Sequence, residues 1–371
     1  MGTMARTPLT FALVALLAAA AAAAQNARAQ LSAAKGLTAV AGLRVGHFTL
    51  SERPTGCTVI MVDGAGATGG VSQRGGAPGT RETDLLGPLN MVDRVNAIVL
   101  SGGSAYGLDA AQGTMRYLEE RGIGWPVGRA GVVPIVPSAI LFDLGFGGNA
   151  KIRPTADCGY KGAQAATDGA VREGNVGAGA GATVGKLGGG GAMKAGIGSA
   201  ARVMPNGLVV AALVAVNAAG DIVDPETGRL VAGARNPDGK GLLDARQLLR
   251  SGALLRGQAP AAGQNTTIAV VATNARLDKA QANRMALMAD DGLARAIVPS
   301  HTVGDGDTVF ALATGRFTEN VNVTVIGALA ADALAEAIVR AAVLAEASGG
   351  LPAARDLGTV PDRLRADVAT K

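Results

Sequence analysis

Aromatic side chains make up only 3% of the 371 residues, so the core must come from Ala, Val, Leu and Ile within an apolar share of 48%. The same scarcity, with Lys and Arg dispersed rather than bunched, removes the stacking platforms and basic stripe of a nucleic-acid binder. Histidine occurs twice, at His47 and His301, too rarely for a histidine-rich metal centre. No metal or cofactor is therefore expected. Cysteine also occurs twice, at Cys57 and Cys158, with a spacing that matches no metal motif. Two small buried residues are the expectation, with pairing left open in an oxidising compartment. After residue 29 there is no run of about 18 consecutive apolar residues that could span a bilayer.

The chain does have an export-like start. Met1 to Thr7 carries Arg6 and no acid, Leu9 to Ala24 is an apolar run, and Ala27-Arg28-Ala29 has the small-x-small form of a signal-peptidase site. Removal of residues 1–29 leaves 342 residues, lowers the formal charge from +5 to +3, and implies a protein exported to a bacterial periplasm or beyond, with no membrane contact after processing. Gly is abundant, at 55 residues without a collagen-like period, which implies many tight turns and close backbone contacts.

Short strands are expected at "TAVAGLRVGHF" and "CTVIMVD", followed by a Gly-rich loop (69–88) and a helical stretch near Leu89 to Val95. "NAIVLSGGSAYGLDAAQGTMRYLEERG" reads as strand, glycine turn and helix, and the prolines of "VVPIVPSAILFDL" suggest an edge or a bent extended segment. A helix at 162–173, a glycine loop carrying Lys186 and a strand ending near Asn217 come next. Residues 234–264 form a turn-rich linker with one short helix. Beyond it lie a strand at 267–273, a helix capped by Asp278, strands at 307–313 and at "VNVTVIG", and a last Ala-rich helix. This mixture indicates an α/β or α+β layered domain.

Three familiar motifs almost fit. "AGATVGKL" lacks the first glycine and the magnesium-binding hydroxyl of a phosphate loop, and "GGSAYG" lacks the second glycine of a dinucleotide fingerprint. The latter also misses the nucleophile elbow, because Tyr106 stands at its fifth position; a triad of Ser104, an Asp and His301 stays open beside a plain pocket-lining turn. Asn265-Thr266-Thr267 satisfies the glycosylation pattern, yet it abuts an apolar strand. Asp305 and Asp307, two apart across a glycine, project to one side of an extended chain; spacing alone favours a solvated or calcium-tolerant turn. Thr266 suits a different chemistry. A threonine hydroxyl needs a base, and its own α-amino group is one if the bond after Asn265 is broken.

The blocks "GGAPGTRETDLL", "AIVLSGGSAYGLDAA", "VGAGAGATVGK", "LVAVNAAGDIVDP", "NTTIAVVATNARL" and "HTVGDGDTVFALATG" together resemble the self-processing N-terminal-nucleophile hydrolases. These include the β-peptidyl aminopeptidases, the D-aminopeptidase/esterases and the nylon-oligomer (6-aminohexanoate oligomer) hydrolases. The resemblance covers nearly all of residues 30–371 and implies a single αββα four-layer sandwich, α+β in class, cleaved into 30–265 and 266–371. It further implies oligomers of such pairs, often tetramers, acting on small amides or short peptides. Thr266 would be the nucleophile of both self-cleavage at Asn265 and substrate attack, Asn217 the oxyanion donor, and Lys186 a neighbour that tunes protonation. Asp305 and Asp307 would hold the Thr266 amine and hydroxyl, with Ser104, Tyr106 and Phe142 about the substrate pocket. Aminopeptidase members carry Glu and Tyr where Ile140 and Phe142 align, so this chain looks closer to the nylon-oligomer branch. A β- or D-residue aminopeptidase, and an uncleaved binding or scaffold module, are the alternatives.

Overall fold

The computed structural model describes residues 33–187, 191–255 and 264–369; the export segment read at 1–29 and linker residues 256–263 lie outside them. Two sheets stack face to face. One runs in the order Leu43–Thr49, Gly56–Val62, Ala97–Ser101, Ser138–Ile140 and Thr80–Arg81; the other runs Ile197–Val203, Val209–Asn217, Thr266–Ala275, Thr308–Phe317, Ala67–Gln73 and Arg94–Val95. Along each long strand alternate side chains enter two different cores. Ile60, Val62, Leu213, Val270 and Phe310 meet between the sheets. Val59 and Met61 face the helices Ala110–Glu119 and Ala156–Gln164, and Val214, Val271 and Val309 face the helices Lys279–Ala296 and Val323–Val343. Strands buried on both faces read as continuous apolar runs, which is how "VVAALVAVN" appears in the sequence. The layers are α, β, β, α.

Small residues do the work that aromatics do elsewhere. A Cβ at Gly198 would lie 1.9 Å from the Ala337 carbonyl oxygen, so helix Val323–Val343 lies almost against the backbone of its sheet. The two cysteines form a disulfide that ties strand Gly56–Val62 to helix Ala156–Gln164, resolving the question that their spacing left open.

Four local readings change. "VNVTVIG" starts the helix Val323–Val343 instead of forming a strand: Asn322 caps it, its side chain accepting the Thr324 N–H at 2.9 Å, and the following Ala-rich run carries the turn onward. A short β-branched run does not by itself separate buried helix from buried strand. Leu89 to Val95 is loop ending in the two-residue strand Arg94–Val95; Leu89 is fully exposed, and Lys279 Nζ donates to the carbonyls of Leu85, Asn90 and Val92 to hold the loop. The helix expected at 162–173 is Ala156–Gln164. The proline-bounded Ser138–Ile140 pairs on both sides, with Ala97–Ser101 and with Thr80–Arg81, and so is not an edge.

Candidate active site

Thr266 opens the central strand of the six-stranded sheet. Its antiparallel neighbour ends at Asn217, directly paired with Thr266, while its parallel neighbour begins at Thr308 and a bridge joins Asn265 to Asp305. An antiparallel strand brings its end, and a parallel strand its beginning, to the same sheet margin. Register alone therefore gathers Asn217, Thr266 and the Asp305–Asp307 segment.

The Thr266 hydroxyl donates to the carbonyl oxygen of Asn265, the residue before it. The Gly306 N–H donates to the same oxygen at 3.0 Å, polarising the bond that a self-cleaving chain would break. A Cβ at Gly306 would sit 2.7 Å from Thr266 Oγ1, so glycine is the residue that leaves the hydroxyl its place. Asn265 is 1% exposed, and among the described residues neither polar atom of its amide has a partner. That burial keeps the amide from a glycosylating enzyme in the folded chain.

Asn217 is held at both ends. Its Oδ1 accepts from Lys186 Nζ at 2.9 Å, from the Thr183 N–H at 3.0 Å and from Thr183 Oγ1 at 3.3 Å. These donors fix which end of the amide is oxygen. Nδ2 donates one proton to the Phe142 carbonyl at 2.8 Å, which leaves the second for a developing oxyanion. Lys186 also reaches the Gln264 carbonyl at 3.4 Å. Burial pushes its ammonium down to about 7, against the charges of Asp305 and Asp143, which pull it up.

The two aspartates differ. Asp307 is occupied by N–H groups: Thr267 at 2.8 Å on Oδ1 and His301 at 3.0 Å on Oδ2, with His301 Nδ1 also 3.0 Å from Oδ2. It braces the strand one residue beyond Thr266. Asp305 accepts the Thr302 N–H at 2.8 Å through Oδ2, and the Ala219 backbone N–H also faces its carboxylate. Burial and the charge of Asp307 raise its pKa. Both aspartates are 2% exposed, so the solvated-turn reading falls. Burial disfavours a charged His301, but the bond to Asp307 and its charge outweigh this and raise the imidazole pKa.

The sheet margin thus brings together Thr266, Asn265, Asn217, Lys186, Asp305 and Asp307. Phe142 joins through its carbonyl. Ser104, with φ +54°, donates its N–H to Leu141 at 3.0 Å, beside Phe142. Its side chain has no hydrogen bond to His301 among the described residues, which leaves the elbow triad unformed. Tyr106 is 57% exposed and lies under the Arg153 guanidinium, 3.5 Å from the ring centre. Ile140 is buried, its methyl filling the space over Gly79, so no carboxylate stands there. Sequence reasoning missed Thr183 and the Gly306 N–H; the glycine between two aspartates was the only available signal for the latter. A cavity of about 830 Å³ lies elsewhere, lined by Asp224, Asp244, Arg246 and Arg363 among others. Its charges pair mutually, Arg363 with Asp224 at 3.0 Å and Arg246 with Asp244 at 2.8 Å.

The chain is similar to known proteins along most of its length. Residues 35–354 match the model of peptidase family S58. An uncharacterized aminopeptidase of Mycobacterium tuberculosis (strain ATCC 25618 / H37Rv) is 44% identical over 348 residues, covering 86% of this chain and 97% of the relative. A 6-aminohexanoate-oligomer endohydrolase of Kocuria sp. (strain KY2) is 32% identical over 314 residues, 81% of this chain and 84% of the relative. Among solved structures, the L-aminopeptidase D-Ala-esterase/amidase of Ochrobactrum anthropi, described as a variant of the Ntn hydrolase fold, superposes with a TM-score of 0.66 at 21% identity, covering 90% of this chain and 94% of that one. A Burkholderia sp. β-aminopeptidase does so at 0.64 and 24%, with the same coverage.

Proposed function

Because the chain belongs to peptidase family S58, and so is a peptidase or related amide hydrolase, we propose that it cuts itself between Asn265 and Thr266 and then uses Thr266 as an N-terminal nucleophile. The observation that carries this reading is the convergence of Asn217, Lys186, Asp305 and the Gly306 N–H on the Asn265–Thr266 bond. In self-cleavage, Thr266 Oγ attacks the Asn265 carbonyl carbon and loses its proton to a neighbouring base. The neutral fraction of Lys186 near pH 7 suits that task. The C–N bond breaks, the Thr266 amine takes a proton, and water hydrolyses the resulting ester. In turnover, the freed amine receives the hydroxyl proton, an acyl-enzyme forms on Thr266, and the leaving amine departs protonated before water releases the acid. Asn217 Nδ2 stabilises the oxyanion, and the Asp305 carboxylate holds the amine.

The substrate class is peptide-like or aliphatic amides, as in the nylon-oligomer branch; buried Ile140 supplies no carboxylate to grip a free substrate amine. Short-peptide aminopeptidase action is the second reading, favoured by the name of the mycobacterial relative. Export through residues 1–29 is part of the proposal, supported by the Cys57–Cys158 disulfide, which suits an oxidising compartment. So is assembly of cleaved pairs into a homo-oligomer such as a tetramer.

A denaturing gel with N-terminal sequencing tests the core of it. Two fragments are expected, the smaller beginning Thr-Thr-Ile, and Thr266→Ala should stay intact and inactive. A wild-type chain that hydrolyses amides while uncut would make Thr266 the wrong nucleophile and leave the elbow reading; an uncut chain without activity would leave the scaffold reading.

A further inference from the structure

We propose that Asp143 is a positioning residue that sets the Asn217 amide and the Lys186 ammonium for catalysis, acting through a buried ion pair with Arg53; this rests on the Thr266 reading above. Asp143 and Arg53 have fully buried side chains 2.8 Å apart. The Asp143 carboxylate also accepts from Thr55 Oγ1 at 2.5 Å and from the Gly103 N–H at 2.9 Å. Arg53 spends its other donors on the carbonyls of Phe146, at 3.0 Å, and Ile152, at 2.8 Å. Gly181 packs so near that a Cβ there would be 2.7 Å from both Asp143 Cβ and Oδ2.

Those contacts matter because of what lies one step further along each segment. The residue before Asp143 is Phe142, whose carbonyl takes the Asn217 Nδ2 proton. The loop that packs on Asp143 at Gly181 continues to Thr183 and Lys186, the donors to Asn217 Oδ1. Both ends of the Asn217 amide are therefore held by segments that meet at one carboxylate. A buried ion pair is poor evidence of stability by itself, and a plain packing role would have no reason to centre on both halves of this cradle. The charge reaches the site as well. Two carboxylates act on Lys186, Asp305 in the loop before Thr308 and Asp143 next to Phe142, and both raise its pKa against burial. Lys194, buried on the carbonyls of Gly179 and Ala182, is the other ammonium that Asp143 faces.

The test is the pH dependence of self-cleavage of purified precursor, followed on gels, together with kcat and KM of the cleaved enzyme on a chromogenic short-chain amide, an aminoacyl p-nitroanilide, with Thr266→Ala as control. In Asp143→Asn the self-cleavage limb near pH 7 should move to lower pH by about half a unit or more, because a charge that favours the ammonium is gone, and the limiting self-cleavage rate should fall at least tenfold. A self-cleavage limb at the wild-type position overturns the proposal. Where Asp143→Asn does not fold, Thr55→Val keeps both charges and removes one contact. It should lower kcat about threefold or more with KM and the limb unmoved; unchanged kcat, or a change confined to KM, overturns the role. Turnover by Thr266→Ala would instead sink the underlying nucleophile reading, whatever Asp143 does.

Discussion

At the scale of single residues, Thr266 stood out in the sequence between a linker and an apolar run, whereas the roles of Asn217 and Lys186 entered only through the resemblance of their blocks to a known family. Which atom does what was not legible. Asp305 and Asp307 look equivalent in "GDGD", yet Asp307 braces Thr267 and His301 while Asp305 takes the N–H groups of Thr302 and Ala219, a difference made by which N–H groups surround them. Asn217→Ala should lower turnover about 10²–10³-fold, as loss of an oxyanion donor does, measured as kcat on a chromogenic amide. For Lys186 the sign follows from its protonation: the basic form gains as pH rises through about 7. Self-cleavage of purified precursor, followed on gels, should therefore accelerate from pH 6 to pH 8, and a rate that falls over that range would remove Lys186 as the base.

At the scale of elements, the strong apolar strands and the Asp278-capped helix Lys279–Ala296 were readable from period and cap. The capping box there is complete, with Gln281 at 2.8 Å from Asp278 Oδ1 and returning a bond at 3.0 Å. Short β-branched runs and glycine loops were read less well, since tertiary packing overrides weak local preference. The glycines carry their meaning between elements: Gly75 lies against the backbone of Asp305 and Asp307, where a Cβ would approach to 2.3 Å, and Gly306 lies against Thr266. Gly306→Ala should push the Thr266 hydroxyl away and slow self-cleavage by about a hundredfold, the usual result of misplacing a reacting atom by an ångström. Precursor accumulating on a gel, with a folded circular dichroism spectrum, is the expected outcome.

For the whole molecule, the disulfide closes a sequence separation of 101 residues; disulfides typically stabilise by about 2–4 kcal/mol, and chain entropy alone gives about 5 kcal/mol for a loop of that length. Cys57→Ser with Cys158→Ser should lower the denaturant midpoint accordingly while leaving kcat near wild type, because the bridge lies in the outer helix–sheet core. A hydrolysis panel of amino-blocked against free short amides addresses specificity. With Ile140 in place of a carboxylate, blocked substrates should be cut within about tenfold of free ones, one missing ion pair or hydrogen bond being worth about that factor; a strict demand for a free amine would point to an anchor elsewhere. By itself the sequence determined the apolar pattern of the layers, the scarcity of aromatic and histidine side chains, and the threonine at a strand mouth, because composition and periodicity are properties of the chain alone. The tertiary structure decided how the site is assembled. Asn217, Thr266 and residues 305–307 meet only through strand register, the Gly306 N–H finds the Asn265 carbonyl only across a bridge, and burial, a property of the folded interior, moves Lys186 to about 7.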